Sequence, residues 1–138
     1  GEGEAIQFTK DGGFRASPLP DGKTVFFTKS ADAKAMWRTS ANGGKEEPLP
    51  EFEKAGFEQA LHWTATKKGI YFFVREADKG FKIKLYDFAN KEIKQIDGNY
   101  IIPPNLNLRD GMTTNGKTFL FTVQDPKVIY IMLADLPQ

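Results

Sequence analysis

The chain has 138 residues, the length of one ordinary domain, with 40% apolar and 27% charged residues, the make-up of a globular protein. Its formal net charge is +1, and Lys and Arg are mixed with Asp and Glu along the chain, so binding nucleic acid through a charged face has little compositional support. The absence of cysteine excludes disulfides, thiolate nucleophiles and Cys-based zinc sites, and no apolar run approaches the roughly 18 residues needed to span a bilayer.

Strand signals dominate from the start. Residues 3–9 alternate Ala5, Ile6, Gln7, Phe8 and are expected to form a strand. A first group follows at 13–50, with strands expected over 14–18, 24–28, 35–39 and 46–49. Asp21-Gly22 turns the first of these into the second, and Asn42-Gly43-Gly44 is a strong hairpin signal before the last. Pro48 removes a ladder donor, which places that strand at an outer edge. Residues 51–59, rich in Glu, Lys and Ala, read as a crossover with one helical turn.

The second group, 59–97, has strands expected over 61–65, 70–74, 83–88 and 92–96. The run Ile70-Tyr71-Phe72-Phe73-Val74 is apolar at every position, which indicates burial on both faces. Residues 98–107, with Pro103-Pro104, form a second crossover. The third group, 105–135, has strands over 108–112, 118–123 and 128–133, and the chain ends without a fourth.

The groups are copies. Pro20-Asp21-Gly22-Lys23-Thr24-Val25-Phe26-Phe27-Thr28 and Thr114-Asn115-Gly116-Lys117-Thr118-Phe119-Leu120-Phe121-Thr122 carry the same phrase 94 positions apart, and Thr66-Lys67-Lys68-Gly69-Ile70-Tyr71 is a worn copy between them. Spacings of about 45 and 49 residues match the repeat length of β-propeller blades. Ser17 to Lys23, Met36-Trp37-Arg38 before Asn42-Gly43-Gly44, and Leu85-Tyr86-Asp87-Phe88-Ala89 resemble TolB-type, WD-repeat-like bacterial β-propellers over nearly the whole chain. Leu19 and Pro20 enlarge the first turn of that signature, and Thr113-Thr114-Asn115 replaces Ser-Pro-Asp in the third copy.

The resemblance implies an all-β fold of three four-stranded antiparallel blades in one partial propeller domain. The strand at 3–9 would be the missing outer strand of the third blade, a permuted boundary. Such propellers close with about six or seven blades, within the general range of 4–8. Three blades form an open arc with bare apolar faces and open edges. Self-association is therefore expected, two chains making a six-bladed ring.

In that frame Arg15, His62 and Arg109 occupy corresponding positions on the innermost strands, His62 with a turn one residue shorter, and Asp110 is the carboxylate nearest the channel. A ring of positive charge would bind an anion or an acidic peptide. Salt bridging to Asp110 or backbone, or simple solvation, is the other reading of the same residues. Trp37 and Trp63 are expected to pack between blades or to form binding platforms.

No catalytic constellation is apparent. His62 is the only histidine, no Gly-x-Ser-x-Gly elbow supplies a serine, and Asp110 has no facing second acid. Gly1-Glu2-Gly3 lacks the features of a phosphate loop, and no cofactor or metal is expected. The chain starts Gly1-Glu2-Gly3 rather than with Met, which points to a processed or trimmed chain and leaves a lost leader or neighbouring domain open. The compartment is open between bacterial cytoplasm and periplasm. The functional expectation is a non-enzymatic binding and assembly module recognising a protein or peptide, with no nucleic-acid or membrane partner. The alternatives are half of a propeller that gates a hydrolase or peptidase, and a structural fragment without activity.

Overall fold

Three turns reverse the chain by one device. Asp21 Oδ1 accepts hydrogen bonds from the backbone N–H groups of Lys23 and Thr24, at 2.8 and 3.2 Å. Gly22 takes a φ of 67°, a left-handed conformation that costs glycine nothing. Asn115 Oδ1 accepts from Lys117 and Thr118, both at 2.9 Å. In the middle copy Thr66 Oγ1 takes the role, accepting from Lys68 and Gly69 at 3.2 and 3.3 Å. Carboxylate, amide and hydroxyl are interchangeable here because each places an acceptor oxygen over the turn amides.

The computed structural model describes residues 3–5, 7–58, 60–96 and 101–136. The described chain is all-β apart from one α-helical turn and one 3₁₀ turn at Ala77–Lys79. The first sheet runs β1 (Arg15–Pro18), β2 (Thr24–Thr28), β3 (Met36–Ser40) and β4 (Glu47–Leu49) in spatial order. The helical turn α1 (Glu51–Lys54) leads to a second sheet of β5 (Trp63–Ala65), β6 (Gly69–Glu76), β7 (Gly80–Asp87) and β8 (Glu92–Gln95). The third sheet orders β9 (Asn107–Thr114), β10 (Thr118–Gln124) and β11 (Ile129–Asp135). Every neighbouring pair is antiparallel. The first strands of the three sheets, β1, β5 and β9, lie together.

The third sheet departs from the sequence expectation in two ways. The third sheet has three strands, not four, among the described residues. The segment expected to supply the fourth forms no strand at residues 3–5 and 7–9, while Ile6 lies outside the described residues. This segment is held on the first sheet instead. The Phe8 ring meets Phe27 edge to face at 6.2 Å, and the Lys10 amide donates to Glu46 Oε1 at 2.7 Å. Glu46 in turn pairs with Lys29 at 2.7 Å. A ring contact and a charge-assisted bond fix the segment on this face, far in sequence from the third sheet it was expected to complete.

The core lies in two layers, one on each side of β6. Ile70, Phe72 and Val74 face the first sheet and pack with Phe26, Met36, Phe52 and Trp63. Tyr71 and Phe73 face the third and pack with Met112, Phe119, Phe121 and Val123. This two-sided burial explains why β6 shows no polar alternation. Phe52, on α1, plugs the first layer, its ring centroid 4.9 Å from Phe72 and 5.2 Å from Tyr86. Gly69 lies so close to the facing strand that a Cβ there would collide with the Tyr86 carbonyl oxygen.

Candidate functional site

The residues expected to form a channel ring meet three different fates. Arg15 leaves β1 toward the second sheet, is half-buried, and donates from Nη2 to the Trp63 carbonyl at 3.2 Å. The same nitrogen reaches the Met112 carbonyl of β9 at 3.5 Å. The guanidinium also lies 5.5 Å from the centre of the Trp63 ring. One side chain from the first sheet thus touches both of the others. Burial lowers its pKa from the usual arginine value, but a guanidinium still keeps its charge in a protein.

His62 sits at the bend before β5 and is buried, its carbonyl accepting from the Phe73 amide at 3.1 Å. Arg109 is exposed on β9. Asp110 follows it in the same strand, and its side chain lies outside what is described. The three basic residues therefore share a repeat position without sharing an environment.

For Arg109 the cause is an irregularity in β9. Phe121 faces Met112, but Val123 faces Leu108, so residues 109–111 stand opposite the single residue Thr122. Extra residues of this kind bend a strand and re-aim its side chains. Gly111 lies in this bulge, where a Cβ would come within 2.7 Å of the Arg15 guanidinium. The bare glycine makes room for the arginine at the meeting point of the sheets. No sequence signal marked this pairing, since it joins residues nearly a hundred positions apart.

The tryptophans separate as well. Trp63 is fully buried, with its indole N–H donating to the Ala60 carbonyl at 2.9 Å. Trp37 is half-buried on the far face of the first sheet, with the Lys29 ammonium 3.9 Å above its ring.

The least satisfied surface is the far face of the third sheet. The register places Leu120 opposite Leu133, Thr122 opposite Ile131 and Gln124 opposite Ile129 on that face. Leu120 is 45% exposed, Ile129 50%, Ile131 75% and Leu133 66%. The outer strands of the other sheets are protected differently. β4 is three residues long and contains Pro48, while β8 alternates Glu92, Ile93, Lys94 and Gln95. Short, charged or proline-bearing strands resist edge pairing, whereas β11 has seven residues and an apolar sequence.

Among the described residues no group of His, Asp and Glu side chains is arranged to hold a metal ion, and no helix is long and apolar enough to cross a membrane. The chain matches no protein family, and no curated protein or solved structure is significantly similar to it.

Proposed function

We propose that this chain is a binding and assembly module without chemistry of its own: an open arc of a TolB-like β-propeller that closes against a second copy, and recognises a protein or peptide at its loops. The observation that carries the reading is the bare face of β10 and β11. Four large aliphatic side chains stand out on one side of the strand pair; on the other side β10 is core, while Tyr130 and Met132 of β11 are exposed as well. Isolated apolar side chains on a surface are ordinary, but a contiguous row beside an open edge marks an association surface.

The far face of the first sheet offers a complement. Phe8, Phe14, Ala16 and Phe27 line a groove of about 230 Å³ there. Ile131 is the most prominent of the aliphatic side chains on the opposite end of the arc. A head-to-tail contact between these two faces, made twice, closes a two-fold ring of six sheets. The segment carrying Phe8 forms part of the seat in this arrangement.

A concentration series tests the reading. If folding is coupled to association, the urea midpoint rises as protein concentration is raised about a hundredfold, because a dimer gains stability by mass action. A midpoint that stays fixed rejects the coupling of fold to assembly.

A further inference from the structure

The repeated turn phrase accounts for three chain reversals through its backbone and its acceptor side chain, but no turn hydrogen bond uses the lysine side chain within it. The hydrogen-bond pattern makes Lys23, Lys68 and Lys117 equivalent, each donating its backbone N–H to the turn acceptor at 2.8, 3.2 and 2.9 Å. Lys67 stands beside Lys68 in the middle copy. All four are exposed, and among the described residues none makes an ion pair.

The three turns also share a space. Pro20 of the first turn, Thr66 to Lys68 of the second and Thr114 to Gly116 of the third line one cleft of about 380 Å³, with Tyr71 on its wall. No carboxylate lines it. Three acids lie near this end. Asp21 Oδ1 is engaged by two turn amides, Asp87 is paired with Lys94 at 2.8 Å and is also attracted at longer range by Lys68, and Asp135 lies opposite Thr118 in the third sheet. The hydroxyls of Thr66 and Thr114 are occupied within their turns. Asn115 Oδ1 accepts three hydrogen bonds, which leaves its amide N–H groups as donors. The polar groups of the lining itself that remain open are thus ammonium and amide, set against an apolar wall of Pro20, Ala65 and Tyr71, while the carboxylates of Asp21 and Asp135 stand at its margins, next to Lys23 and Lys117.

We infer that this turn face binds an acidic peptide segment in extended form, held by Lys67 and Lys68 in the cleft and by Lys23 and Lys117 on either side. A small anion gains little from exposed lysines in water, whereas a chain carrying several carboxylates sums the contacts. Stacked sheets stand about 10 Å apart and an extended chain rises about 3.3 Å per residue, so carboxylates at every third residue match turn after turn. The site differs from a channel ring of Arg15, His62 and Arg109, because its cations sit on the loops. The inference deepens the recognition half of the proposed function and rests on it, yet needs only one copy of the chain.

The test is fluorescence anisotropy with a labelled nine-residue peptide carrying Glu at every third position, at about 20 mM and about 300 mM salt. The expected result is saturable binding at low salt that weakens at least tenfold in the double variant Lys67→Glu with Lys68→Glu. The double variant Lys54→Glu with Lys79→Glu, which changes net charge equally at exposed sites elsewhere, stays within about twofold of the parent. Lys68→Gln weakens binding without reversing charge, and unchanged urea midpoints certify that each variant is folded. Equal losses in both double variants, no binding at low salt, or tighter binding of a single-stranded oligonucleotide of equal length would each overturn the inference. Solution mass is measured on the same samples. A monomer that binds the peptide refutes the assembly reading alone, and a dimer that does not bind refutes the acidic-peptide site alone.

Discussion

Replacing Arg15 tests whether the three sheets are pinned at one point. Arg15→Ala removes a charged donor from the Trp63 carbonyl at 3.2 Å, a longer contact to the Met112 carbonyl at 3.5 Å, and a guanidinium 5.5 Å from the Trp63 ring centre. A hydrogen bond from a charged group contributes about 1.5 kcal/mol net, and a partly exposed cation–π contact about 0.5 kcal/mol. The 3.5 Å contact sits at the limit of hydrogen bonding and adds little. The expected loss is therefore about 2 kcal/mol, or roughly 6 °C in Tm for a domain of this size. Urea unfolding checks it through a lower midpoint at unchanged slope. Arg15→Lys should recover less than half, because an ammonium cannot serve two carbonyls and lie flat against the indole together. A loss below about 0.5 kcal/mol, within the range of ordinary surface substitutions, would refute the pin.

Other substitutions probe separate parts of the fold. Gly69→Ala drives a methyl group into the Tyr86 carbonyl between β6 and β7, and should cost more than about 3 kcal/mol or prevent folding, as read by circular dichroism and urea titration. Gly111→Ala is expected to act through Arg15 and to cost much less in an Arg15→Ala background, which a double-mutant cycle of urea midpoints measures. Asp87 is held below the usual carboxylate range by its bond to Lys94, then by the Ala89 amide. A lowered folded pKa means that its contribution is present above the unfolded value and lost as pH falls through the folded one. The stability gap between parent and Asp87→Asn should therefore shrink from pH 7 toward pH 3, and a constant gap in paired urea titrations would contradict the assignment.

Much of the architecture was legible because it depends on local chemistry. Asx-Gly turns and apolar runs set the hairpins, and the unbroken run from Ile70 to Val74 correctly signalled a strand buried on both faces. What escaped the sequence depends on contacts between distant segments. β7 begins at Gly80 rather than at residue 83, because Ala77 enters the positive-φ region and Gly80 completes a tight reversal. A non-glycine residue there leaves no signal in a single sequence. Residues near the N-terminus alternate like a strand, yet Phe8 is drawn to Phe27. The bulge in β9 was equally hidden, since it makes room for an arginine from the opposite end of the chain.

The candidate sites divide along the same line. Repeat position alone grouped Arg15, His62 and Arg109, but position in a repeat does not fix environment when one strand carries a bulge. Lys23, Lys68 and Lys117 are grouped more firmly, because the same turn hydrogen bonds recur around each of them. Their equivalence was already written in the repeated phrase. What the phrase did not disclose is that the three turns open onto one cleft.

The central claim is that the face of β10 and β11 is an association surface, and solution mass tests it most directly. Light scattering over protein concentrations up to about 100 μM should give twice the 15.5 kDa chain mass for the parent. Ile131→Lys with Leu133→Lys, changing two exposed side chains on that face, should return it to the mass of one chain without loss of fold. A parent chain that stays at 15.5 kDa throughout, or a double variant with undiminished mass, would contradict the account.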